Sequence, residues 1–134
     1  MLLSIKIMSM ISLYVSIALG GAIGACLRYF LNFQIHILWQ GHLALGTLVV
    51  NILGSLFIGF CYVYFDEKAV LPIALKPFIM TGLLGAFTTF STFSLDTIMH
   101  IHQGQWLHAF AYTMLSIAGC FIATFLAIEL ARQF

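Results

Sequence analysis

The sequence predicts an all-α integral membrane protein with four transmembrane helices, the third of them broken. Three observations carry this reading. The chain of 134 residues is 63% hydrophobic and only 7% charged, whereas soluble domains carry roughly 25% charged residues. Its mean hydropathy is +1.11. Uncharged runs cover 7–27, 29–65, 77–95 and 97–128, and a spanning helix needs about 20 apolar residues. Each run therefore holds one span, and the two longer runs also hold a polar loop. The predicted spans, about 8–30, 43–65, 73–99 and 106–132, make one membrane domain of residues 1–134. A net charge of +1 gives no footprint for nucleic acid.

The first span runs from about Met8 to Phe30. Gly20 and Gly24 form a small-xxx-small face that allows close helix approach. Arg28 closes the span, as a snorkelling anchor or as the lining of an ion vestibule. Asn32, Gln34 and His36 lie beyond it, and Trp39, Gln40, Gly41 and His42 form a short interfacial loop. Lys6, the apolar stretch and ALGGA near residue 20 resemble a signal peptide. The run continues past the small residues to Arg28, however, which is long enough to remain as a span. Met1, Met8 and Met10 are alternative starts.

In the second span Thr47 and Asn51 are four apart and share a helix face, with Gly54, Ser55 and Gly59 as a small packing surface. Asn51 has two readings: a hydrogen bond to a neighbouring helix, or amide donors for an anion. Asp66, Glu67 and Lys68 close this span. Pro72 and Pro77 bracket the start of the third, where Pro77 suits a first helical turn.

The third span carries the stretch TGLLGAFTTFSTFSLD at 81–96. Thr88, Thr89, Ser91, Thr92 and Ser94 put hydroxyls at mid-depth, and Phe87, Phe90 and Phe93 recur at steps of three. A span with this much polarity faces protein or a pore rather than lipid. Ser and Thr compete for backbone groups, and Gly82 and Gly85 weaken a helix. A break near 85–89 follows, with freed carbonyls that a cation could satisfy.

The fourth span sets Tyr112, Ser116 and Cys120 on one face. His100, His102 and His108 cluster at the preceding loop without a metal-ligand pattern, which reads as interfacial solvation. Cys26, Cys61 and Cys120, an odd number inside spans, read as reduced packing residues rather than a disulfide framework. No arrangement for nucleophilic catalysis is present, so an enzyme is not expected.

Rings of Asp or Glu for a cation pore, or of Arg or Lys for a phosphate pore, are missing from the spans. Hydroxyls, the Asn51 amide and phenylalanine edges, which are the positive part of an aromatic ring, could replace the water around a small anion. Ordinary core packing is the other reading of the phenylalanine stripe.

GGAIGACLRY at 20–29, GTLVVNILGS at 46–55 and GLLGAFTTFSTFS at 82–94 resemble the signature blocks of the CrcB/Fluc fluoride channels, in order and spacing over residues 18–128. The resemblance implies a passive, fluoride-selective channel in a prokaryotic plasma membrane that releases toxic cytoplasmic fluoride. It implies an antiparallel, dual-topology dimer with two fluoride pathways along the subunit interface. Thr47, Asn51, Phe90, Phe93, Tyr112 and Ser116 would line the pathway. A structural sodium ion, not transported, would be held by the main-chain carbonyls of Gly85 and Thr88.

Two positions depart from the family pattern. Asp96 replaces the usual glutamate, and Cys120 replaces a further hydroxyl. Lys6, Lys68, Lys76 and Arg132 fall on one side and Arg28 near the other, which places the termini in the cytoplasm. The partner is then either a second copy or an oppositely oriented homologue. A small four-span proton-coupled exporter shares the plan, but would carry a carboxylate in its first span, and 7–27 contain none. A non-transporting structural membrane subunit is the third reading.

Overall fold

The computed structural model describes residues 2–39 and 44–134. The predicted loop residues Gln40, Gly41 and His42, the predicted span start Leu43, and the Lys6 side chain lie outside the described residues. Four helices are long and apolar enough to cross a membrane among the described residues: Met10–Leu38, Leu45–Glu67, Ile73–His102 and Trp106–Gln133.

Helix α1 runs over Leu2–Leu38, 37 residues, or about 55 Å at 1.5 Å per residue. Arg28 does not end it. Nothing between Arg28 and Leu38 breaks a helix, and Asn32, Gln34 and His36 are carried on its final turns. Polarity there does not terminate the helix.

Helix α2, Leu45–Tyr62, continues through a wide π-type turn at Val63–Glu67. The third span begins with a short turn at Ile73–Leu75 and wide π-type turns at Pro77–Leu84. Its α-helical continuation α3 covers only Gly85–Phe87. The chain then leaves the helix at Thr88 (φ −82°, ψ 159°) and Thr89 (φ −152°, ψ 117°). Helix α4 restarts over Phe90–His102. The break expected near 85–89 thus falls on its last two residues. A turn with Gly104 at φ 73° leads into α5, Trp106–Gln133. That positive φ suits glycine because it has no Cβ to clash.

Glycines decide which helices touch. A Cβ on Gly20 would collide with the Phe78 carbonyl, and one on Gly24 with the Leu83 carbonyl. The first and third spans therefore run parallel, backbone against backbone. On the other side, a Cβ on Gly59 would meet the Thr124 carbonyl at 2.7 Å, and one on Gly119 would meet Ile52 at 2.8 Å. Thr124 Oγ1 donates to the Ser55 carbonyl (2.9 Å), so α2 and α5 are also parallel neighbours. Close approach by small residues is how membrane helices pack, since lipid removes the hydrophobic incentive.

One membrane end is tied by charge. Arg132 donates to Glu67 (2.6 and 2.9 Å) and to Glu129 (2.7 Å), and Lys76 pairs with Asp66. Lys68 Nζ donates to the Ala131 carbonyl (2.9 Å), where a cation favours a helix C-terminus.

Candidate functional site

The third-span break is built by exchanging helix bonds for side-chain bonds. In an α-helix the Gly85 carbonyl would accept from the Thr89 N–H, four residues on. That N–H instead donates to Asn51 Oδ1 (2.8 Å), while Asn51 Nδ2 donates to the Thr89 carbonyl (3.0 Å). The Thr88 carbonyl would accept from the Thr92 N–H, which donates instead to Thr89 Oγ1 (3.2 Å). Thr89 is thus the N-cap of α4. The Ala86 carbonyl has found another donor, Arg28 Nε at 3.0 Å. Gly85 and Thr88 are left with carbonyls whose regular donors are engaged elsewhere.

The hydroxyl cluster serves the break itself. Thr88 Oγ1 donates to the Leu84 carbonyl (3.1 Å) and Ser94 Oγ to the Phe90 carbonyl (2.9 Å). Thr89 Oγ1 donates to Thr92 Oγ1 (3.0 Å) and shares a bond with Ser91 Oγ (3.2 Å). Most of the hydroxyls that the sequence offered to an anion therefore terminate and restart a helix.

A groove of about 490 Å³ opens beside the break, lined by Asn51, Gly85, Thr88, Thr89, Phe90, Phe93, Ser116 and Cys120 among others. Gly54 makes room for Thr88 on its wall, because a Cβ there would collide with the Thr88 methyl. Ser116 is only 4% exposed, and its Oγ has no hydrogen-bond partner among the described residues. Phe93 is buried and Phe90 is 78% exposed, with their rings 5.4 Å apart. They do not share one environment, since Phe93 faces the bundle and Phe90 leaves it.

Phe93 also packs on Tyr112, with centroids 5.4 Å apart, and both belong to a core with Leu48. Tyr112 is fully buried and donates through its hydroxyl to Asp96 Oδ2 (3.2 Å). Beyond this apolar plug a second groove holds Thr47, Asp96, Asn32, His36 and Trp39. Within one chain the predicted pathway residues are therefore in two parts. Asn51, Phe90, Phe93 and Ser116 line the first groove, Thr47 lies in the second, and Tyr112 stands between.

Of the histidine cluster, His102 and His108 are exposed as expected, and only His100 differs. His100 is buried, shares a hydrogen bond through Nδ1 with Gln105 Oε1 (3.0 Å), and sets its ring edge-on to Tyr112. His102 is exposed, and no group of three His, Cys, Asp or Glu is placed to hold a metal ion among the described residues. Cys26 is exposed rather than packed in the core, and Cys61 and Cys120 are half-buried, all as free thiols.

Arg28, read from the sequence as a snorkelling anchor or as the lining of an ion vestibule, bonds the third span next to its break. It is half-buried, and its Nε donates to the carbonyl of Ala86, near the middle of the Ile73–His102 span. The signal was present as Gly20, Gly24 and Arg28 at steps of four. That face is pressed against the third span, and its next position meets the break.

Comparison with known proteins places the chain in a family. The family model described as CrcB-like protein, Camphor Resistance (CrcB), matches residues 15–128. A curated protein of Alteromonas mediterranea, named fluoride-specific ion channel FluC, is 42% identical over 122 residues, covering 91% of this chain and 96% of its own length. Proteins with the same name from Magnetococcus marinus and Pseudomonas putida are 43% and 38% identical, covering 87% and 92% of this chain and 94% and 99% of their own lengths. With four apolar spans, a third span broken at two threonines, and relatives matched almost end to end, the chain belongs to the CrcB-like family.

Proposed function

We propose that this chain is a passive, fluoride-selective channel of the plasma membrane, which lowers cytoplasmic fluoride by letting it leak out. The observation that carries the reading is the groove beside the break, where the buried Ser116 hydroxyl is unpartnered between Asn51 and the phenylalanines. A buried polar group left unpaired costs roughly 1–3 kcal/mol, so a passing ligand that accepts its hydrogen is favoured. Asn51 keeps one amide hydrogen after bonding Thr89, Phe93 and Phe90 offer ring edges, and the N-terminus of α4 adds positive dipole. These are neutral donors of short reach, which suit a small, hard, dehydrated anion.

One chain leaves Phe90 uncovered and the two grooves separated by the Phe93–Tyr112 plug. An antiparallel partner, a second copy or an oppositely oriented homologue, would complete a path from Thr47 and Asp96 past Tyr112 to Ser116 and Asn51. The Gly85 and Thr88 carbonyls suit a structural sodium ion at the axis of such a dimer, since their helical donors are bound to Asn51 and Thr89. Sodium there would supply positive charge to carbonyls whose helical donors are engaged elsewhere, and it would not be transported.

The test is anion efflux from liposomes holding the purified protein. Fluoride is expected to leave down its gradient, with chloride retained. Fluoride release that requires an opposing proton gradient would favour the coupled exporter, and absence of flux would favour a structural subunit.

A further inference from the structure

Arg28 is a half-buried cation on the face of α1 that packs on the third span, and its position follows from that packing. Gly20 and Gly24 press α1 so closely on the third span that any Cβ there would strike the Phe78 or Leu83 carbonyl. One turn further along the same face, Arg28 reaches Ala86, and its Nε donates to that carbonyl at 3.0 Å. This is its one hydrogen bond among the described residues. Ionisable groups at such depth are costly and are retained for function.

The bonded atom matters. In an unbroken helix the Ala86 carbonyl would accept from the Phe90 N–H, which would carry the helix straight through Thr88 and Thr89. Arg28 occupies that carbonyl from one side while Asn51 holds Thr89 from the other. Two neighbouring helices thus each remove one rung of the third span.

We infer that Arg28 is a positioning residue for fluoride conduction, whose Nε–H holds the Ala86 carbonyl and keeps the third span open at the groove. The inference rests on the channel reading proposed above. Its role is geometric, through one N–H at a fixed distance along the side chain, rather than through the positive charge.

Glutamine separates the two, because its amide nitrogen stands at the same number of bonds from the backbone as Nε of arginine and carries no charge. The experiment compares wild type, Arg28→Gln, Arg28→Met and Arg28→Lys as full-length purified protein, by fluoride efflux from liposomes and by thermal unfolding in detergent. Arg28→Gln is expected within about threefold of wild-type flux, and Arg28→Met to fall about tenfold or more, as for loss of one buried hydrogen bond to a charged donor. Flux in Arg28→Gln as low as in Arg28→Met, with Arg28→Lys at wild-type rate, would overturn the inference and assign the role to charge. Wild-type flux in all three would also overturn it. If Arg28→Met does not fold, Arg28→Gln alone decides, since a value below a tenth of wild type refutes the proposal. If wild type itself carries no fluoride, the channel reading fails. The stability order, Gln above Met with Lys not above Gln, then still decides whether the N–H or the charge holds the break.

Discussion

Replacing Asn51 with alanine removes two hydrogen bonds from Thr89, an extended residue within the third span. Its N–H would lose its acceptor, now at 2.8 Å, while its carbonyl would lose a donor at 3.0 Å but keep the first bond of α4. An unsatisfied buried backbone group costs roughly 1–3 kcal/mol. The site is only part-buried and borders an open groove, so water offsets some of this, and about 1–2 kcal/mol per chain is expected. Asn51→Asp keeps an acceptor for the N–H but loses the donor, so it should cost less stability. It also places a negative charge where an anion must pass, so both variants should lose fluoride flux. Thermal unfolding in detergent beside efflux from liposomes measures the two effects together. An alanine variant within about 0.5 kcal/mol of wild type would show that Asn51 does not hold the break. The mutation would then report on the pathway alone.

Four further outcomes are expected. Phe93→Ile should lower stability by about 1–2 kcal/mol through lost ring packing on Tyr112, whereas Phe90→Ile, exposed in one chain, should cost about 0.5 kcal/mol or less. Both should slow fluoride efflux about two- to tenfold if ring edges face the anion. Gly24→Leu should prevent assembly at a cost of about 3 kcal/mol or more, while Gly21→Ala, whose nearest obstacles lie 3.9 Å away, should fold normally by circular dichroism and gel filtration. Replacing sodium with N-methylglucamine should weaken the dimer, read as dissociation on dilution, and an unchanged dimer would remove the sodium proposal. Gly85→Ala meets nothing in its own chain closer than 3.6 Å, so it should spare the isolated fold and weaken only dimer formation.

The spans were legible because lipid requires long uncharged runs, and those runs are visible between charges such as Arg28, Asp66 and Asp96. The break was legible in outline, since Gly85 and the threonines weaken a helix locally. What could not be read was how its bonds are shared. The pairing of Asn51 with Thr89 joins residues 38 apart, and the contact of Arg28 with Ala86 joins residues 58 apart. No local rule links such positions until the helices are packed. Sequence polarity also left Arg28 between two readings, because its carbonyl partner on the third span is not visible in the sequence. His100 was misread for the same reason, as its partner Gln105 becomes a neighbour only when the turn at Gly104 closes.

The exchange of rungs at Thr88 and Thr89 bears on how the protein is made. A third span entering lipid alone has no neighbour to satisfy Ala86 or Thr89, and unpaired backbone is too costly there. It must therefore cross first as an unbroken rod, with the Gly85, Ala86 and Thr88 carbonyls bonded within it. Only when the first two spans come alongside can Arg28 and Asn51 take over those groups and let the chain unwind. The groove is accordingly a product of assembly, appearing last, and a chain that inserts but fails to pack would remain closed to ions.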